Sequence, residues 1–520
     1  MIKFKHSLVL GCSALAVASC GPDEIVSPGT GGNVVINNPT PSPTPTPTPT
    51  SGNVTPANGC PTISDAQGLT DDGTISGPTG EYRVCTMPAR INASITLPYI
   101  EGLLYRINGR VDVGTDGGPS PDASDGLDDT DVELTIEPGV IIYAAGSSFL
   151  NVNRGNTIQA NGTADRPIIF TSRDNVLGLN GASSSGQWGG VVLSGRAPVT
   201  DCIAAGATPG SVNCERQVEG AADPAIFGGA TANDSSGSMT YVQIRYSGFV
   251  LSGDNELQSL TTGGIGSGTT LENIMSYNSS DDGVEFFGGR VNVKNLIVVG
   301  AEDDSIDTDT GVKANLQYVI AIQRPGAGDT IIEADSDNAF NDSTPRQNTR
   351  ISNATFVHQN ANDQVVRIRG FADYSIANSV IWSRNDTPCL RVDGQEELTR
   401  TAGADEAGPV AFDSLVLDCS APFRDSSGAT AADIQAVFDA GTNNNSAFTN
   451  TLSMLFQNGS NENGVPVFNV TAWSSFFDLA SNIGAVFPGN DTWVNGWTCN
   501  SATVTFDSAV SGCASLPIYN

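Results

Sequence analysis

Histidine is almost missing from this chain. Two of its 520 residues are His. His6 falls in the leader-like start, which leaves His358 alone. That excludes a His-rich zinc site and any chemistry that needs two imidazoles. Basic residues are also few: 24 Lys and Arg stand against 56 Asp and Glu, a formal net charge of −32. A chain this acidic repels nucleic acid and anionic membrane surfaces, so neither is expected as a partner. No Cys-x-x-Cys occurs, which weakens the case for zinc. Beyond the first residues, no apolar run is long enough to form a membrane helix.

What is present begins with an export pattern. Lys3 and Lys5 precede an apolar run, Leu8 to Val17, too short to span a bilayer. The run ends Val17-Ala18-Ser19-Cys20, which resembles the lipobox of bacterial lipoproteins. The resemblance implies that residues 1–19 are removed and that Cys20 carries the acyl (palmitate-type) lipid, the only expected contact with a membrane. Gly21 replaces the Asp tied to inner-membrane retention, so an outer-membrane, cell-surface or released protein is expected. Loss of residues 1–19 removes Lys3 and Lys5 and no acid, leaving a formal charge of −34. Pro39 to Thr50 alternates Pro with Ser or Thr, a semi-rigid polyproline II spacer, and 20–57 reads as a tether.

Apart from Cys12 and Cys20, eight cysteines fall in neighbouring couples. An even count in an exported chain implies disulfides. Eight cysteines allow 105 connectivities; proximity favours Cys60–Cys85, Cys202–Cys214, Cys389–Cys419 and Cys499–Cys513. Residues 58–132 read as a disulfide-bearing lead-in. Its acidic loop, Asp116 to Glu133, is either a calcium loop or simply solvated.

The organising signal is a repeat. Asp282-Gly-Val-Glu-Phe-Phe-Gly, Asp304-Ser-Ile-Asp-Thr-Asp, Asp329-Thr-Ile-Ile-Glu-Ala-Asp, Asp363-Gln-Val-Val-Arg-Ile-Arg-Gly and Thr387-Pro-Cys-Leu-Arg-Val-Asp-Gly begin 22, 25, 34 and 24 residues apart. Between them run Leu271-Glu-Asn-Ile, Val293-Lys-Asn-Leu, Leu316-Gln-Tyr-Val, Ile351-Ser-Asn-Ala, Ile376-Ala-Asn-Ser and Phe412-Asp-Ser-Leu. Short β-branched runs at this interval predict an all-β solenoid, a right-handed parallel β-helix with coils about 4.8 Å apart. It is expected over 133–420, with 421–520 capping the open last coil.

Leu134-Thr-Ile-Glu-Pro-Gly, Ala160-Asn-Gly-Thr-Ala-Asp-Arg-Pro-Ile-Ile-Phe-Thr-Ser, Trp188-Gly-Gly-Val-Val-Leu-Ser-Gly-Arg-Ala-Pro and Asp281-Asp-Gly-Val-Glu-Phe-Phe-Gly-Gly resemble a family of bacterial surface lipoproteins with a pectin-lyase-like β-helix. Ile483-Gly-Ala-Val, with Trp493 and Trp497 behind it, adds to the likeness. The resemblance implies type II secretion and production under phosphate limitation.

Placing apolar residues inside with period two makes Val284/Phe286, Ile306/Thr308, Ile332/Ala334, Val366/Ile368 and Leu390/Val392 core pairs. The residues between them, Glu285, Asp307, Glu333, Arg367 and Arg391, then stack outward. A second outward column holds Phe287, Asp309, Asp335, Arg369 and Asp393. Carboxylates at that spacing repel, which is relieved by a raised pKa, a bound cation or the arginines. Three roles follow: an ion-pair ladder with structural calcium, a ligand-binding face, or a catalytic face acting on glycosidic or uronate linkages. Glu285, Asp307, Glu333, Arg367 and Arg391 are the catalytic candidates, and Asp309, Asp335, Arg369 and Asp393 the ligand-binding ones. Asp281, Asp282, Asp303 and Asp304 head the strands as turn caps or calcium ligands. The Gly-His-Gly and Asn-Thr-Asp of β-helix glycan hydrolases are absent, as are the pectate-lyase arginine signatures. The sequence therefore favours a non-enzymatic surface protein with a polysaccharide or secreted-protein partner. Asn273, Asn295, Asn353 and Asn378 are expected as a corner ladder, broken at Tyr318 and Ser414.

Overall fold

A computed structural model describes residues 54–218, 225–252, 255–336, 343–399, 405 and 407–519. The signal segment, Cys20 and the Pro39–Thr50 spacer lie outside the described residues.

The chain winds as a right-handed parallel β-helix. One wall is an 11-stranded sheet running from Arg90–Ile91 to Phe423–Arg424. The other is a 15-stranded sheet, parallel except for the opening pair Thr70–Gly77 and Gly80–Thr86. In the early coils this second wall has two separate parts. Ile95–Leu97, Glu133–Ile136 and Thr157–Asn161 form one; Gly80–Thr86, Leu103–Arg106, Ile141–Ala144 and Ile168–Ser172 form the other. Gly237–Arg245 pairs with both and fuses them into one long bent strand.

The bend has a local cause. Tyr241, Asn273, Asn295, Tyr318, Asn353, Asn378 and Ser414 all have positive φ, between 48° and 61°. Each turns the strand through the left-handed region, which asparagine tolerates better than most side chains. Tyr318 and Ser414 make the same bend instead of breaking the column. The predicted core pairs are buried throughout. Apolar side chains of both walls meet in one cluster from Cys85 to Phe438.

The coil starts earlier than the sequence implied. Arg90–Ile91 and Arg110–Val113 already belong to the 11-stranded wall, so the solenoid begins inside 58–132. The far end also differs. The helix Ala431–Ala440 covers the last coil, with Phe438 against Phe412 and Phe423, and residues 442–448 bond along the edge of the strand Ala411–Asp418. The remaining chain folds back along the outside of the long sheet towards the first coils. Trp497, Phe506 and Phe456 bury the outward faces of Met275, Ile297 and Ile320. Arg245 donates to the carbonyls of Cys513 and Ser515 at 3.0 and 2.9 Å, and Tyr519 packs edge-on against Tyr99. The corner residues hold this return segment: Asn353 donates to Asn482 O at 2.7 Å, and Asn378 exchanges two bonds with Phe468. The amide-to-amide ladder reduces to a 3.4 Å contact from Asn295 to Asn273.

All four sequential disulfides form. Cys202–Cys214 staples an excursion across the 11-stranded wall. Val199, Val218 and Phe227 of that excursion cover Val192 and Phe287. Phe287, expected on an open face, is 1% exposed, because an aromatic ring there recruits an apolar cover.

Candidate functional site: an acid–arginine column

Parallel pairing without slippage carries a 22-residue sequence interval into a vertical stack. Thr261, Glu285, Asp307, Glu333, Arg367, Arg391 and Arg424 are successive cross-strand partners. Glu285, Asp307 and Glu333 therefore share one side of the coil. Phe287 and Asp309 are partners in the adjacent column, and the amides of Asp335, Arg369 and Asp393 continue it by bonding to the preceding strands.

The column divides into two halves. From Glu333 onward every charge is answered. Arg367 bridges Glu333 at 2.9 Å and Asp393 at 2.8 Å. Arg369 bridges Asp335 at 2.6 Å and Glu333 at 3.3 Å, and Arg391 reaches Asp393 at 2.6 Å. The expected ligand-binding set is thus bonded to itself: Asp335, Arg369 and Asp393 belong to this chain of ion pairs, and Asp309 accepts the Thr310 amide at 2.5 Å.

The other half is acid upon acid. Asp282 and Asp304 are buried at 6% and 5% exposure. Each accepts a backbone amide from the next coil, Asp282 from Asp304 at 2.8 Å and Asp304 from Thr330 at 2.7 Å. These are caps between coils, where the sequence suggested caps within a turn. Burial pushes the carboxyls of Asp282, Asp304 and Asp307 well above the usual carboxylate range, and neighbouring carboxylates push them further. Asp303 moves the same way, burial first and then Asp329. Asp335 rises through burial, held back by Arg369. Asp307 Oδ1 is buried with no hydrogen-bond partner.

Three groups bring carboxylate oxygens within 4.8 Å of one another: Asp281/Asp282/Asp303, Asp282/Glu285/Asp307 and Asp303/Asp304/Asp329. All-oxygen donors on a stacked backbone suit a hard divalent cation. The second group fits best, because it holds the unpartnered Asp307 oxygen. Three residues of these groups escaped the metal reading of the sequence. Glu285 and Asp307 were grouped with their column, and Asp329 was seen only as the start of a repeat. The signal for Asp329 was its register with Asp281 and Asp303, whose carbonyl accepts its amide at 2.9 Å.

A family model for a pectate-lyase-like β-helix domain matches residues 127–498. The chain belongs to that family. No curated protein and no solved structure matches it.

Beside its first coils, this pectate-lyase-like β-helix protein uses charge pairs as anchors. In the Asp116–Glu133 loop, Asp116 pairs with buried Arg154 at 2.6 Å and Asp129 with buried Arg196, so those carboxylates anchor the loop. His358 is fully buried, its Nε2 3.0 Å from Asp329 O, and burial lowers its pKa. It packs as a core residue.

Proposed function

We propose that the protein is a non-enzymatic, glycan-directed surface or accessory protein whose acid–arginine column is a structural spine. The unbroken ion-pair chain Asp335–Arg369–Glu333–Arg367–Asp393–Arg391 supports this reading. A lyase needs a base near a uronate, and the arginines of this column are committed to carboxylates. Calcium is proposed for the Asp282/Glu285/Asp307 group, where it would offset the stacked charge. Attachment through lipid on Cys20, at the outer membrane or on a released form, follows from the lipobox resemblance. Type II secretion and phosphate-limited production follow from the surface-lipoprotein likeness. Among the described residues no helix is long and apolar enough to cross a membrane.

A glycan array with the full chain tests the binding role, alongside incubation with uronate polymers in calcium. Retained glycans with no unsaturated products and no new reducing ends support it. Absence of any retained glycan, or turnover, overturns it. Labelled palmitate that still enters a Cys20→Ala chain removes the anchor.

One observation favours catalysis as a second reading. Asp307 combines an unpartnered oxygen with a raised pKa, the state required of a general acid. Turnover abolished in Asp307→Asn supports that reading; absence of turnover by wild type removes it.

A further inference from the structure

Away from the acid–arginine column, the long sheet and the return segment enclose a polar cleft of about 420 Å³. A second cleft of about 420 Å³ shares Arg290, Lys313, Asn315 and Ser474 with it, so the two form one groove. The sheet places its side chains in register: Arg290, Lys313 and Asn348 in one column, Asn292, Asn315 and Arg350 in the next. Trp473, half-buried, stands on the opposite wall.

The charge here runs against the rest of the molecule. Acids outnumber bases more than two to one in the chain, yet Arg290, Lys313 and Arg350 converge on this groove, where Asp405 is the one acid among the described lining residues. Asp405 pairs with Lys313 at 3.3 Å. Arg350 spends a donor on the Trp473 carbonyl at 2.8 Å. Among the described residues no carboxylate pairs with exposed Arg290. The neutral groups add a second requirement. Asn348 Oδ1 is buried without a hydrogen-bond partner and needs a donor. Asn315 donates to Asn292 at 2.8 Å, which fixes its amide and leaves an oxygen to accept.

We infer that this groove binds a carboxylate-bearing polysaccharide. Arg290 and Lys313 receive the carboxylates, the asparagine oxygens receive sugar hydroxyls, and Trp473 offers an apolar face for a ring. Inorganic phosphate could satisfy the cations but would leave the length of the groove and the aromatic wall unused. The inference deepens the glycan-binding reading above by naming the ligand class. It also moves binding from the acid–arginine column to a different wall.

The test is isothermal titration of the full chain with long oligogalacturonates, a neutral oligosaccharide of similar length and inorganic phosphate. Wild type is expected to bind the oligogalacturonate, more weakly as salt rises, and neither of the others. Arg290→Glu, at an exposed position, is expected to weaken binding roughly tenfold or more with an unchanged melting midpoint. Arg290→Ser should fall between, and Arg173→Glu, at an exposed position on the helix Arg173–Leu177, should bind like wild type. Binding kept in Arg290→Glu, or lost equally in Arg173→Glu, overturns the placement. Binding of phosphate without oligogalacturonate, or no binding at all, overturns the ligand class. Retention of a neutral glycan alone refutes this inference while the broader binding role survives.

Discussion

The carboxylate of Asp282 accepts the backbone amide of Asp304, its counterpart one coil later, at 2.8 Å. Asp304 repeats the bond to Thr330. A buried acid thereby becomes a rivet between laps, stacked closely with acids of the same kind.

That arrangement makes stability depend on pH. Asp282, Asp304 and Asp307 have folded-state pKa values raised by burial and by each other. Above about pH 4 the unfolded chain has released protons that the folded chain still binds. The contribution of these groups to stability is therefore greatest at low pH and falls as pH rises towards their folded values. A divalent cation opposes the loss at neutral pH. In chelator, Asp307→Asn should gain stability over wild type at about pH 7.5 more than at about pH 4. Calcium should raise the wild-type midpoint at the higher pH only. Thermal melts check both, and superimposable curves with and without calcium would remove the cation.

Arg367 joins Glu333 to Asp393 across three coils. Arg367→Met removes one arginine from each of Glu333 and Asp393, which keep Arg369 and Arg391, and should cost about 1 kcal/mol. Urea unfolding measures it. The Glu333→Gln/Arg367→Met pair should cost less than the sum of its single changes.

Asn378 has two separable duties, a φ of 48° and two bonds to Phe468. Asn378→Gly keeps the bend and loses the bonds; Asn378→Ala loses both. Alanine should be the worse by about 1 kcal/mol. Limited proteolysis should cut near Phe468 in both. Protection equal to wild type would show that the return segment is held elsewhere.

Phe438 lies over the last coil, 1% exposed. Phe438→Ala should cost about 3–5 kcal/mol. By loosening the Ala431–Ala440 cover it should also promote association through the edge strand Phe423–Arg424, visible by size-exclusion chromatography.

The repeat was legible because strand alternation and coil register are both periodic. Knowing that Val284 and Phe286 point inward places Glu285 over Asp307 with no further information. The covering of Phe287 was not legible, because an excursion's landing place is set by long-range apolar contacts such as Phe227 on Phe287. The return segment escaped for the same reason. Residues 441–519 carry no repeat, and their path follows bonds to corner residues more than a hundred positions earlier, such as Asn353 to Asn482. The groove at Arg290 had a faint signal. Arg290-Val-Asn and Lys313-Ala-Asn share an upstream pattern, but only the Trp473 wall turns it into a cleft.

Solenoids commonly lengthen or shorten by copying or deleting a lap, since each lap touches only its neighbours. Here the return segment spans from the Ala431–Ala440 helix to Tyr519 beside Tyr99. It works as a ruler: a lap inserted or removed beneath it would shift Trp497 and the Arg245 anchor out of step. The number of laps is thereby fixed by a part of the chain that belongs to none of them.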